Sequence, residues 1–463
     1  MQTGTVLPAH ALKALGSALR GALITPGTSS YDVARAVHNG GIDRYPGAIA
    51  KCVDIADVVT CVRVAHEHDV RTAIRCGGHS GAGLGTCDGG LVIDLSLMRG
   101  VRVDPSAGTA QVEGGCTWGA VDHATHEFGL AVPSGIVSTT GVGGLALGGG
   151  SGHLSRAYGL TIDNLEAADV VLADGTFVTA DAETHPDLFW ALRGGCGNFG
   201  VVTSFRFRCH PVRNVIAGPV FYDVSRTGEV LRWYREFLPY APRELNGFFL
   251  VGAVPPAEQF PAQLHGHRVC GALWIYTGET SRAEDILAPV RQLGAPLLDG
   301  IGELPFPALQ SAFDGLYPPG LQWYWRGDFF TQITDDAIAA HEQYAEVPTL
   351  HSTMHLYPVD GAVHDVAADD TAFAYRHANW NGVIAGVDPA PANADLIREW
   401  AIRYWEALHP TSAGGAYVNF MMDEGHDRVR ATYGAHFARL ADVKAMYDPD
   451  NFFHINPNIP PAR

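Results

Sequence analysis

Apolar positions in the first half of the chain fall into short runs punctuated by glycine. The stretch 54–70, DIADVVTCVRVAHEHDV, sets Val58, Val59, Val62 and Ala65 on one face at helical spacing, and Asp54 stands where a capping carboxylate belongs. It predicts an amphipathic helix. Residues 12–24 read as an earlier helix. RTAIR (71–75), GLVIDLS (90–96) and TAQVEGG (109–115) predict strands, and TWGAVDHATHEFG (117–129) predicts a helix closed by glycine. AADVVLADGTFVTA (167–180) predicts a hairpin turning at Asp174-Gly175. The run 185–212 predicts a helix, a glycine block and a strand.

After Pro211 glycines thin out and aromatic residues rise, as in GALWIYTG, LQWYWRGDFF, TLHSTMHLYPV and FAYRHANWNGVIAG. Helical segments at 225–238, 281–293 and 334–345 alternate with these strands. The pattern predicts an α+β domain over 213–416, built on an antiparallel sheet flanked by helices. The tail 433–461 reads as a helix followed by a loop rich in Pro and Asn.

Composition narrows the class. The chain has 463 residues, 47% hydrophobic and 17% charged, which fits a globular protein with more than one core. A formal charge of −18 disfavours nucleic acid and acidic membranes as partners. No apolar run approaches the roughly 20 residues that span a bilayer. The first 23 residues lack a basic segment followed by an apolar one, so no signal peptide is expected. The eight cysteines contain no CxxC pair, and reduced thiols in the cytoplasm are expected. No histidine grouping has metal spacing, so no metal is expected.

Candidate chemistry concentrates in three glycine blocks. In the second, Gly141, Gly143 and Ala146 match a dinucleotide fingerprint, but no strand leads into Gly141 and LGGGSG is a poor start for the long helix such a site needs. Any one block alone reads as tight turns. Three blocks within about 130 residues read better as backbone N–H groups converging on phosphate beside a flat ring. His79, inside RCGGHSGAGLG, is the imidazole that such a loop would present.

The segment RCGGHSGAGLGTCDGGLVIDLSLM (75–98) resembles the R-G-G-G-H-S segment of FAD-linked oxidases of the vanillyl-alcohol-oxidase type, whose FAD-binding domain is of the PCMH type. GVGGLALGGGSGHLSRAYGLTIDNL (141–165), LFWALRGGCGNFGVVT (188–203), YVN (417–419) and YDPDNFFHINPNIPP (447–461) resemble further motifs of the berberine-bridge-enzyme-like group. The resemblance implies an FAD-binding domain of two subdomains over 1–212, completed by the C-terminal segment 417–463, with 213–416 as the substrate domain. In this family the histidine of the first loop is bonded covalently to the flavin, which maps onto His79. Some members add a cysteine bond at the position of Val137, so a single link is expected. Where some members have a tyrosine, this chain has Ser151.

The same resemblance implies FAD contacts from Arg75, Cys76, Gly77, Gly78, Ser80 and Gly81 in the first loop. The second block contributes Val137, Thr139, Thr140, Gly141, Gly143, Gly144, Gly148, Gly150 and Ser151. Asn198, Gly200, Val202, Tyr417, Asn419 and Asn456 complete the set. Tyr417 is expected beside substrate and flavin. On the substrate side, alternation puts His351, Thr353, His355 and Tyr357 on one strand face and Asn379 and Asn381 on another. His355 is the candidate second catalytic group. Trp323 and Trp325 are candidate pocket walls, beside His351, Asn379 and Asn381.

The expected reaction removes a hydride from a C–H bond next to oxygen or nitrogen of a small organic molecule. Dioxygen is then reduced to hydrogen peroxide. The aromatic-rich substrate domain favours an aromatic or polycyclic substrate of specialised metabolism. Sugar, secondary-alcohol and amine substrates, and a dehydrogenase using another acceptor, remain alternatives. A monomer or homodimer is expected.

Overall fold

The computed structural model describes residues 6–463; residues 1–5 of the stretch read for a signal peptide lie outside them. Among the described residues no helix is long and apolar enough to cross a membrane. Three sheets organise the chain. The first has four strands in the order Ala22–Ile24, Ala48–Lys51, Leu91–Asp94, Thr72–Arg75; Leu91–Asp94 pairs parallel with both its neighbours, and Ala22–Ile24 pairs antiparallel at the edge. The helix Ile55–Glu67 packs on it through Val58, Cys61, Val62 and Ala65. Asp54 caps that helix by accepting the Asp57 amide at 3.0 Å.

The second sheet is antiparallel, with five strands in the order Val101–Asp104, Thr109–Glu113, Val201–Arg208, Leu165–Val171, Phe177–Asp181. Its hairpin turns at Asp174-Gly175, where Gly175 has φ +79°. The third sheet is an eight-stranded antiparallel sheet over 214–388. Its central order is Arg268–Tyr276, Leu245–Ala253, Thr353–Pro358, Trp380–Asp388, Gln322–Phe330. One face holds Phe249, Met354, Leu356 and Ile384 against Leu231, Ile338 and Tyr404 of the helices Thr227–Phe237, Asp335–Tyr344 and Ala394–Leu408. The other face looks back at the glycine blocks. This is the α+β architecture the sequence pattern predicts.

Three elements differ from expectation. The helix expected over 12–24 spans Ala9–Ala18, and 22–24 is a strand. The amides of Arg20 and Gly21 donate to the Asp57 carboxylate, and a Cβ on Gly21 would lie 1.8 Å from the Lys51 carbonyl oxygen, so the chain leaves the helix to pair. The strand expected from 349 begins at Thr353, because Thr349 and Ser352 hydroxyls bond each other and the Val387 carbonyl in a turn. The strand expected from 374 begins at Trp380; Arg376 is drawn away into a buried pair with Asp163 at 2.5 Å.

Candidate active site

The first and second glycine blocks meet backbone to backbone. A Cβ on Gly77 would lie 2.4 Å from the Gly141 nitrogen, and one on Gly141 would lie 2.3 Å from the Gly77 nitrogen. This close approach requires glycine at both positions. Beyond the contact, the backbone amides of Gly77 to Ala82 find no acceptor among the described residues. Four of these, Gly77 to Ser80, stand on the cavity lining and offer unpartnered N–H groups suited to an anion. Gly144 faces the same cavity, and a Cβ there meets no protein atom within 4 Å, so protein packing does not explain the glycine. Both observations fit a cofactor that carries phosphate and fills this space.

The cavity, about 330 Å³, runs between the glycine blocks and the open face of the large sheet. Arg75, Cys76, Gly77, Gly78, His79 and Ser80 line it from the first block. Val137, Thr140, Gly141, Gly143, Gly144 and Ser151 line it from the second. Gly200, Val202, Tyr417, Asn419 and Asn456 close the far side. Arg75 lines it without offering a free charge: its guanidinium bonds the Asp94 carboxylate at 2.6 Å and the Ala34 carbonyl at 2.6 Å. It holds the strand that launches the loop.

Five expected cofactor contacts do not line the cavity. Gly81 lies beneath Trp325, whose ring would be 2.4 Å from a Cβ. Thr139 stands behind His79 and offers its carbonyl to that imidazole. Gly148 makes room for the Asn419 side chain, and Gly150, at φ +80°, turns its amide to the Tyr417 hydroxyl. Asn198 pins the C-terminal tail, accepting the Ile459 amide at 3.1 Å and donating to the Gly195 and Pro457 carbonyls. Each supports a lining residue from behind.

His79 stacks on His38, with ring centroids 4.0 Å apart and planes 18° from parallel. The Thr140 hydroxyl lies 3.5 Å from His79 Nδ1. Burial, with His38 beside it, pushes the His79 pKa down to about 3, and burial lowers that of His38 to about 4. Both rings are therefore neutral at pH 7, and His79 keeps a lone pair for bonding. Val137 presents only methyl groups to the cavity, and Cys116 is fully buried with its thiol on the Gly100 carbonyl.

The Tyr417 hydroxyl accepts hydrogen bonds from the Gly150 amide at 2.7 Å and from Asn419 Nδ2 at 2.8 Å. Burial outweighs both and pushes its pKa up to about 12. To act as a base at neutral pH, a phenol that ordinarily titrates at about 10 would need a lowered value. The site raises it, so at neutral pH Tyr417 keeps its proton and serves as a donor.

On the large sheet, Thr353, His355 and Tyr357 face the cavity together with Val383, Ala385, Trp323 and Trp325. His355 Nδ1 and the Tyr357 hydroxyl are 2.5 Å apart. Burial lowers the His355 pKa to about 3 and raises that of Tyr357 well above 10. His351, Asn379 and Asn381 do not line the cavity. His351 precedes the strand, so alternation does not govern it, and it meets the edge of Tyr317 at 6.4 Å. Asn379 also precedes its strand and donates to the Thr331 carbonyl at 2.6 Å. Asn381 is on the strand but wholly buried, donating to the Ser151 hydroxyl at 3.1 Å.

Sequence reasoning missed His38, Phe313, Tyr317 and Phe420 as lining residues. His38 and Tyr317 sit in segments without a motif, and only folding brings them in. The Gly40 amide bonds the Leu321 carbonyl and the Gly320 amide the His38 carbonyl, while Asn39 bonds Gly81 and both backbone groups of Trp323. Segment 38–41 thus docks the edge strand Gln322–Phe330 onto the His79 loop.

Known proteins place this geometry. The FAD binding domain family matches residues 46–181, and the family described as berberine and berberine like matches 416–460. An FAD-linked oxidoreductase of Dictyostelium discoideum is 33% identical over 89% of this chain and 88% of its own length. (R)-6-hydroxynicotine oxidase of Paenarthrobacter nicotinovorans is 29% identical over 96% of this chain and 97% of its own. The crystal structure of 6-hydroxy-D-nicotine oxidase from Arthrobacter nicotinovorans superposes with a TM-score of 0.85 at 26% identity, covering 96% of this chain and 98% of that one. The amide nest, the open space at Gly144 and these relatives together make the chain an FAD-linked oxidoreductase of the berberine-bridge-enzyme-like family.

Proposed function

We propose that the protein is an oxidase that holds FAD through one covalent bond, at His79, and oxidises a C–H bond next to oxygen or nitrogen of a small aromatic or polycyclic molecule. The observation that carries this reading is the neutral, cavity-facing imidazole of His79, fixed between His38, Thr140 and the Thr139 carbonyl, with Val137 in place of any second nucleophile. Bound FAD supplies the acceptor for two electrons, and dioxygen takes them on with two protons to leave as hydrogen peroxide. The amides of Gly77 to Ser80 would hold the phosphates. Arg75 and Asp94 keep that loop in place. Domain limits at 1–212, 213–416 and 417–463, and a monomer or homodimer in the cytoplasm, belong to the same reading.

The chain's residues handle the proton. Tyr417, protonated and aimed by Gly150 and Asn419, orients the substrate heteroatom. His355 is the acceptor: it is neutral at pH 7, and its Nε2 makes no hydrogen bond among the described residues. Its basicity is low, but loss of a hydride turns a hydroxyl into a protonated carbonyl, a strong acid that a weak base suffices to deprotonate. The test is the purified protein precipitated in acid. A yellow pellet with flavin fluorescence is expected, and His79→Ala should release all of the flavin to the supernatant. Covalent flavin surviving in His79→Ala overturns the attachment site. Reduced wild-type enzyme that takes minutes to reoxidise in air overturns the oxidase assignment.

A further inference from the structure

We infer that the substrate is an uncharged, flat aromatic molecule bearing a hydroxyl group, held between Trp323, Trp325 and Phe420 and read by Tyr317 and the His355–Tyr357 pair. The inference rests on the function proposed above and narrows its substrate. Its first support is the wall. Trp323 and Trp325 meet at 5.7 Å, Trp325 and Phe420 at 6.2 Å, Tyr357 and Phe420 at 5.7 Å, and Tyr317 and Trp323 at 5.3 Å. These rings, with Val383 and Ala385, give a planar ligand apolar surface on several sides.

The second support is charge. No aspartate or glutamate lines the cavity. The buried acids Asp94, Asp328, Asp360, Asp163 and Glu424 are each paired with an arginine: Arg75, Arg428, Arg156, Arg376 and Arg326. An ammonium ion entering this space loses its water and gains no counter-charge, which strongly disfavours it. An anion is disfavoured on the same ground at the substrate end, because the one arginine on the lining, Arg75, is spent on Asp94 and neither His355 nor His38 carries charge at pH 7.

The third support is the small number of free polar atoms. The Thr353 hydroxyl donates to the Val251 carbonyl. What remains on this wall is the indole N–H of Trp323 and of Trp325, each buried without a partner among the described residues, the Tyr317 hydroxyl and His355 Nε2, which make no hydrogen bond there either, and the Tyr357 hydroxyl bonded to His355. These suffice for one hydroxyl, which both donates and accepts. A sugar, with a hydroxyl on nearly every carbon, would bury most of its groups unsatisfied.

The experiment titrates the oxidised holoenzyme at pH 7 with three probes: 2-naphthol, the ammonium form of 2-naphthylmethylamine, and cellobiose. Binding is read by the flavin visible spectrum and, independently of flavin, by quenching of tryptophan fluorescence. 2-Naphthol should bind at least about tenfold more tightly than either of the others, and Tyr317→Phe and Tyr357→Phe should each weaken it by about tenfold, the worth of one hydrogen bond. His355→Gln, which keeps a polar partner for Tyr357, guards against a folding defect and should weaken 2-naphthol less than Tyr357→Phe. Equal or tighter binding of the ammonium or the disaccharide, or binding of none of the three, overturns the inference. An acid pellet without flavin overturns the proposed function instead, so the two failures are separable.

Discussion

At the scale of single residues, the site is governed by burial acting on neutral groups. Tyr417 shows the balance: two donors favour its phenolate, yet lack of water wins and keeps the proton on. Its hydroxyl also has a structural duty. In Tyr417→Phe the Gly150 amide loses its acceptor and Asn419 Nδ2 keeps only the Leu145 carbonyl, which should cost about 1–3 kcal/mol and lower the melting temperature. Loss of activity in that variant therefore needs the melting curve beside it before a catalytic role is assigned. The identity of His79 was legible in the sequence through its motif. Its neutrality was not, because the stack with His38 joins positions 41 residues apart that share no pattern.

At the scale of elements, the glycine blocks divide into two kinds. Gly77 and Gly141 are glycines because the two loops touch, whereas Gly144 is glycine beside open space. Gly144→Val separates these roles. It stands in the short helix Val142–Leu147, where replacing glycine carries no steric penalty from the protein. The variant should melt within about 1 kcal/mol of wild type as apoprotein, the scale of glycine propensity effects, and should carry much less FAD by absorbance at a matched protein concentration. A matching loss of apoprotein stability would place Gly144 with the packing glycines. The strands tell a parallel story. The strand Thr353–Pro358 is buried at every position, so exposure alone does not reveal its two faces; register with Asn381 and Val383 does. Expectation failed for His351 and Asn379 because both lie outside the strands, where side-chain hydrogen bonds set the backbone.

At the scale of the whole molecule, the sheet and the glycine blocks are held together by buried ion pairs. Arg156, beside the second block, bonds Asp360 at 2.7 Å and the Leu238 carbonyl at 3.0 Å, both in the segment that carries the large sheet. Arg156→Met leaves Asp360 buried without its partner and should cost about 3–5 kcal/mol, read by chemical denaturation. Acid should act on the molecule as a whole. His79, His153, His341 and His355 are each pushed down to about 3 by burial, well below the ordinary 6.5. The unfolded chain then binds more protons than the folded one between pH 6.5 and 3. Stability is full above 6.5 and falls as pH drops through that window, by at most about 2 kcal/mol per group at pH 5. The melting temperature should fall between pH 7.5 and 5.0; an unchanged value would mean these rings reach water.

The sequence by itself determined the α+β class, the three glycine blocks, His79 and the absence of a cysteine at Val137, because each is carried by residues close together in the chain. Local spacing is enough to specify a turn, a capped helix or a loop that exposes its amides. Only the tertiary structure decided which imidazoles are neutral, that Arg75 spends its charge on Asp94, and that Tyr317, Phe420 and His38 join Trp323 around one cavity. Those properties depend on burial and on contacts between segments as far apart as 38 and 323, and solvent exclusion of that kind leaves no periodic trace along the chain.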